Sequence, residues 1–129
     1  ACSVGLRPGS AVLAALPGRS PTLQARVNRE VSAYCAELTA TDTPPHLGLL
    51  HLAPFALNGR KHYLAHVARI IFAALGGRSV TNADGETDYA ALIDVFDELA
   101  ALDEGSLRQR GADAWADLYG APLVQIREL

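Results

Sequence analysis

The stretch at residues 49–77, LLHLAPFALNGRKHYLAHVARIIFAALGG, decides the fold. Its second half carries Tyr63, Leu64, Val67, Ile70, Ile71 and Leu75 at spacings of three and four, the stripe of a helix that faces a core. Asn58 is a candidate N-cap. Gly76-Gly77 is a stop, because glycine takes the left-handed conformation in which helices commonly end. The apolar face is broad and almost uncharged after Arg69, which predicts that a helix over residues 58–75 is the most buried element. The preceding HLGLLHLAPF reads as a short buried helix stopping near Pro54, since proline removes a backbone donor and crowds the preceding turn. Residues 54–60 then read as a loop running straight into the start of the central helix.

Working outward, Ser20 and Pro21 suit the cap and first turn of a helix carrying Leu23, Val27, Val31, Tyr34 and Leu38. The run TATDTPP at 39–45 ends it. After the central helix comes RSVTNADGE, with Asp84-Gly85 as the turn signal. Thr87 reads as the cap of a helix whose Tyr89, Leu92, Ile93, Phe96, Leu99 and Leu102 point inward. A last helix is expected from about Ser106 to Tyr119, with Leu107, Trp115 and Leu118 buried and Gly120 just past its end. Near the N-terminus, Gly5, Pro8-Gly9 and Pro17-Gly18 mark turns. The apolar run at 11–16 fits either a hairpin strand or one helical turn. No internal repeat or linker is present. The expectation is a single, mainly α domain over 1–129: a flap or turn region at 1–19 with a small β-hairpin, a helical core at 20–120, and a tail at 121–129.

At 129 residues and 13.6 kDa the chain has the size of one domain, and half of its residues are apolar, enough for a core without disulfides or metal. Eleven basic residues against 14 acidic, net −3, exclude a general nucleic-acid binder, whose affinity rests on cations that neutralise phosphates. No apolar run reaches the roughly 18 residues of a membrane span. Cys2 and Cys35 are too few for a disulfide scaffold, and the first residues lack the pattern of a signal peptide. These features predict a cytoplasmic protein.

All four histidines lie between His46 and His66. His62 and His66, four apart on one helix face, have the spacing of a zinc-ligand pair that His46 or His51 would complete. The glutamate of H-E-x-x-H is missing, and Arg60 and Lys61 set cations beside the pair. The plainer reading is of ordinary polar positions on a helix face. Residues 54–60 offer a different chemistry. A helix N-terminus presents unpaired N–H groups and a positive dipole end; Gly59 lets an anion approach the backbone, and Arg60 adds a fork of donors. An anion-binding loop and a plain N-cap beside a solvated arginine both fit these residues.

LLHLAPFALNGR followed by a long apolar helix resembles the signature of the Fic/Doc (Fido) family, H-P-F-x-[DE]-G-N-[GK]-R, which lies at a loop between two helices. The resemblance extends to GLRPGSAVLAALPGRSPTLQARVNREVSAYCAEL, similar to a Fic flap hairpin and its following helix. It extends also to ETDYAALIDVFDELAALDEGSLRQRGADAWADLYG, similar to the helices after the motif. It implies a Fic-like architecture in which Pro54, Phe55, Asn58, Gly59 and Arg60 hold nucleotide phosphate. By the same resemblance, Arg60 is catalytic and ATP and Mg²⁺ are the cofactors. The implied reaction moves AMP from ATP to a hydroxyl side chain of a protein substrate, as in related effectors and toxins. Localisation would be cytoplasmic, or secreted into a host cell as an effector.

The departures from that pattern are specific. Ala53 fills the position of the catalytic histidine, Ala56 and Leu57 leave no counterpart for the Mg²⁺-binding acid, and the first glycine of G-N-G-R is absent. Alanine cannot accept a proton, so the resemblance implies an impaired or silenced transferase. Two histories stay open, a fold that has lost the chemistry and a His→Ala change at position 53. No [ST]-x-x-x-E-[GN] inhibitory motif is present, since Ala100 precedes Glu104-Gly105, so any inhibition would come from a separate, antitoxin-like partner. The alternatives from other classes are a non-enzymatic helical interaction module and a histidine-based metal domain.

Overall fold

The computed structural model describes residues 21–57 and 63–119. Five helices occupy them: α1 (Pro21–Thr39), α2 (Pro45–Leu57), α3 (Tyr63–Gly76), α4 (Tyr89–Ala100) and α5 (Glu104–Tyr119). The other four are built around α3. Every residue from 65 to 72 is buried, more than two full turns, so protein covers all sides of that helix and it touches each of the others. Its Val67, Ile71, Phe72 and Leu75 share one core with Val27, Val31 and Leu38 of α1 and with Leu107, Trp115 and Leu118 of α5. From α4 come Leu92, Val95 and Leu99, and Phe96 meets Phe72 with ring centroids 6.2 Å apart. The domain is therefore mainly α, as the periodicity predicts.

No strand occurs among the described residues. A lone antiparallel bridge between Thr81 and Thr87 closes the loop after α3. Asn82 tightens it by accepting from the amides of Asp84 and Glu86, and Gly85 takes φ 81°. The expected flap hairpin at 1–19, the Ser20 cap and the tail at 121–129 lie outside the described residues.

Long-range partners fix the helix ends. Arg108 of α5 donates to the carbonyls of Ala40 and Thr43, which pins the turn between α1 and α2. Gly77, at φ 69°, stops α3 in the left-handed conformation. The last carbonyls of α3 accept from two arginines, Leu75 from Arg110 and Gly76 from Arg78, both at 3.0 Å. Glu98 of α4 pairs with both guanidiniums, at 2.9 Å and 3.3 Å respectively. Cations at a helix C-terminus complement its dipole, and here the tertiary structure delivers them.

Three boundaries differ from the sequence expectation. Asp88, not Thr87, caps α4: its carboxylate accepts from the Ala91 amide while Thr87 is buried and bonded elsewhere. The last helix starts at Glu104 rather than Ser106, because the Asp103 carboxylate accepts from the Ser106 amide at 2.7 Å. The third difference lies at the candidate site. The helix expected to stop near Pro54 runs on to Leu57.

Candidate functional site

The end of α2 explains that third difference. Pro54 cannot donate to the Leu50 carbonyl; Leu50 and Pro54 are both exposed, so this break in the bonding ladder falls on the exposed side of α2. Two hydroxyls from the far side of the sequence then hold the last turn. Thr87 Oγ1 donates to the Ala56 carbonyl at 2.6 Å, and Tyr89 Oη donates to the Leu57 carbonyl at 3.1 Å. These are the terminal carbonyls that a helix leaves unsatisfied.

Thr87 also accepts from Arg69 Nη1 at 3.1 Å, and Arg69 Nη2 donates to His66 Nδ1 at 3.1 Å. That geometry requires a neutral His66 with its proton on Nε2. All three residues are less than a tenth exposed. Burial holds the Arg69 guanidinium below its ordinary pKa, against the pull of the Glu86 carboxylate. On the outer side of this cluster, His66, Arg69, Ser79 and Thr81 line a cleft of about 320 Å³ over Ile70 and Ala73.

The last turn of α2 divides the candidate site residues among three directions. Ala53 is half-buried and lines a groove against α4, Pro54 faces solvent, and Phe55 packs against the core. Successive helical residues diverge by about 100°, so a helix cannot aim Ala53, Pro54 and Phe55 at one ligand as a loop can. The loop expected at 54–57 is corrected to helix by these contacts. Asn58, Gly59 and Arg60 lie outside the described residues.

The groove itself was not legible as a site. Ala53 and Leu57 of α2 face Leu92, Ile93, Phe96 and Asp97 of α4 across a volume of about 140 Å³. Among the described residues of that lining Asp97 is the lone titratable side chain, and none of the others is a nucleophile or a base. Leu47, Leu50 and Leu57 on α2, with Tyr89 and Ile93 on α4, are the large apolar side chains left exposed among the described residues. Tyr89 and Ile93, expected in the inward stripe, are 47% and 52% exposed. The signal was present in the width of the α4 stripe, which is more apolar surface than one flank of a small core can cover.

The described histidines do not converge. His46 Nε2 donates to the Leu102 carbonyl, His51 pairs with Glu37 at 2.7 Å, and His66 accepts from Arg69. Among the described residues no three His, Cys, Asp or Glu side chains gather as a metal ion would need, and His62 lies outside them. Nor is any described helix long and apolar enough to cross a membrane. No protein-family model, curated protein or solved structure matches the chain.

Proposed function

We propose that this chain is a helical binding module whose α2–α4 groove takes an apolar side chain of a protein partner. One observation carries the reading: the exposed large apolar residues of the described chain all fall on the two helices that form the groove. Exposed apolar residues gathered into one patch mark interaction sites, whereas scattered ones mean nothing. The groove volume is close to the ~150 Å³ of a cavity that accepts a benzene ring, so one leucine or phenylalanine anchor fits it. At position 53, where the family resemblance asks for a proton acceptor, a methyl group forms part of an apolar wall.

The test is a titration with a helical peptide bearing Leu or Phe anchors on a neutral polar background, followed by backbone amide NMR. Shifts confined to Ala53, Leu57, Ile93 and Phe96, and lost in Ile93→Lys while the fold is retained, are expected. No shift at millimolar peptide, or shifts that persist in Ile93→Lys, would overturn the reading.

The element order favours a second reading. The segment carrying Asn58-Gly59-Arg60 joins a helix ending at Leu57 to the most buried helix, the order a Fic-like phosphate loop requires. Under this reading ATP binds there and Arg60→Ala weakens binding about 10- to 150-fold, the equivalent of ~1.5–3 kcal/mol for hydrogen bonds to a charged group. Ala53→His restores AMP transfer to a protein hydroxyl if Mg²⁺ is held, with general-base assistance worth ~10²–10⁴. Absence of ATP binding at millimolar concentration removes this reading and leaves the groove untouched.

A further inference from the structure

We infer that the partner of the α2–α4 groove is an amphipathic helix with Lys or Arg along one edge of its apolar stripe. This inference rests on the groove being a binding site and adds the chemistry of what binds. The two walls of the groove differ in charge. The α2 wall, PHLGLLHLAPFAL, holds no Asp, Glu, Lys or Arg. The α4 wall, YAALIDVFDELA, holds Asp94, Asp97 and Glu98 and no cation. Asp97 lines the groove beside Ile93, and Asp94 follows one position further round the helix; both are exposed.

Glu98 is engaged by Arg78 and Arg110, but no ion pair links Asp94 or Asp97 to a cation among the described residues. A ligand seated on Ile93 and Phe96 therefore meets a carboxylate on its α4 edge and uncharged surface on its α2 edge. A cation on that one edge is complementary; an anion there is repelled.

The spacing selects a helix as the occupant. Leu50 and Leu57 stand two turns apart along α2, and Tyr89 and Ile93 one turn apart along α4. Apolar side chains one and two turns apart on the two helices match the i, i+3, i+4 and i+7 anchors that an amphipathic helix presents to a groove. A second copy of this chain suits the groove poorly. Its exposed apolar residues lie on α2, which offers no Lys or Arg to the Asp97 edge, and on α4, whose pairing would bring Asp94 and Asp97 against their counterparts, in a chain whose net charge is already −3.

The experiment compares three peptides with the same Leu anchors and with Lys, Gln or Glu on one edge, titrated into the full chain by fluorescence anisotropy. The order expected at low salt is Lys tighter than Gln, and Gln tighter than Glu. Asp97→Lys is expected to weaken the Lys peptide by about 2- to 30-fold and to favour the Glu peptide, as exposed charge pairs of this kind allow. Added NaCl is expected to narrow all these differences. Asp97 is exposed near the C-terminus of α4, so the substitution leaves the fold intact, which the unfolding midpoint checks. If the Gln peptide shifts groove amides but the three peptides bind alike and Asp97→Lys changes nothing, the charge inference is overturned while the groove stands. If no peptide binds in the groove, both readings fall.

Discussion

Thr87→Val tests whether one hydroxyl holds the candidate site together. The substitution keeps the shape of a residue that is 2% exposed and removes only the oxygen that joins Arg69 to the end of α2. Two interactions go at once. The Ala56 carbonyl loses a 2.6 Å bond in a buried place, where an unsatisfied acceptor costs about 1–3 kcal/mol. Arg69 Nη1 loses its 3.1 Å acceptor, and a bond to a charged group contributes about 1.5–3 kcal/mol. Both bonds share one oxygen and relax together, so the expected loss is about 3 kcal/mol rather than the sum. For a chain of this length that lowers the melting midpoint by roughly 10 °C.

Thr87→Ser is the control, because it removes a methyl group and keeps the bridge; a loss near 1 kcal/mol is expected. Urea unfolding provides the measurement, with the midpoint falling and the slope unchanged. Hydrogen exchange adds a local signature: amides of the last turn of α2 exchange faster in Thr87→Val than in Thr87→Ser. If Thr87→Val stays within 0.5 kcal/mol of wild type, or Thr87→Ser falls as far, the bridge does not hold the helix end.

Acid, thiol chemistry and one close helix contact supply the remaining predictions. The Arg110 hydrogen bond holds the Glu98 carboxyl below its ordinary value, and the Ser106 amide does the same for Asp103. A carboxylate with a lowered folded pKa stabilises fully above its unfolded value of about 4 and loses that contribution as pH falls through the folded value. Urea midpoints should therefore drop below about pH 4, and Glu98→Gln should flatten the drop. Burial pushes the Cys35 thiol up to about 12, so at pH 8 a thiol reagent should label Cys35 only as fast as the protein unfolds; prompt labelling of native protein would contradict the packing of α1. A methyl group added at Gly76 would meet the stiff Val95 side chain at 2.7 Å, so Gly76→Ala should cost ~1–3 kcal/mol despite better helix propensity, and Val95→Ala beside it should recover part of the loss in urea unfolding.

What the sequence revealed was mostly what a helix does on its own. Val27, Val31 and Leu38 on α1, and Val67, Ile71 and Leu75 on α3, were legible because core residues recur with the helical period. Gly77 was legible because its conformation is local. Thr87 and Asp88 are both capping residue types, side by side. The choice between them was made by the Ala56 carbonyl and Arg69, which claim the Thr87 hydroxyl from other elements. Pro54 misled for the same reason: the rule that proline ends a helix counts the lost donor, not the two hydroxyls arriving from Thr87 and Tyr89. Tyr89 and Ile93 looked like core because a helical stripe carries no count of the neighbours available to cover it. Asn58-Gly59-Arg60 was legible as a pattern, while the described part of the motif turned out to be helix.

The two functional readings meet at Ala53. A transferase of the resembled kind needs a proton acceptor at this position. A groove that holds an apolar anchor needs a small apolar side chain there, since an imidazole in place of the methyl group would take up groove volume and set a polar ring among Leu57, Leu92, Ile93 and Phe96. The same change, Ala53→His, thus has opposite consequences. It supplies a base under one reading and blocks the site under the other. The remaining lining agrees with the second requirement, because Leu57, Leu92, Ile93 and Phe96 offer a nucleotide no hydrogen bond and the Asp97 carboxylate would repel its phosphates. A polar, highly charged ligand therefore has no reason to enter this groove. Phosphate chemistry under the second reading therefore draws on Asn58, Gly59 and Arg60 and on none of these groove side chains. On these side chains, binding is the function the α2–α4 face supports by itself.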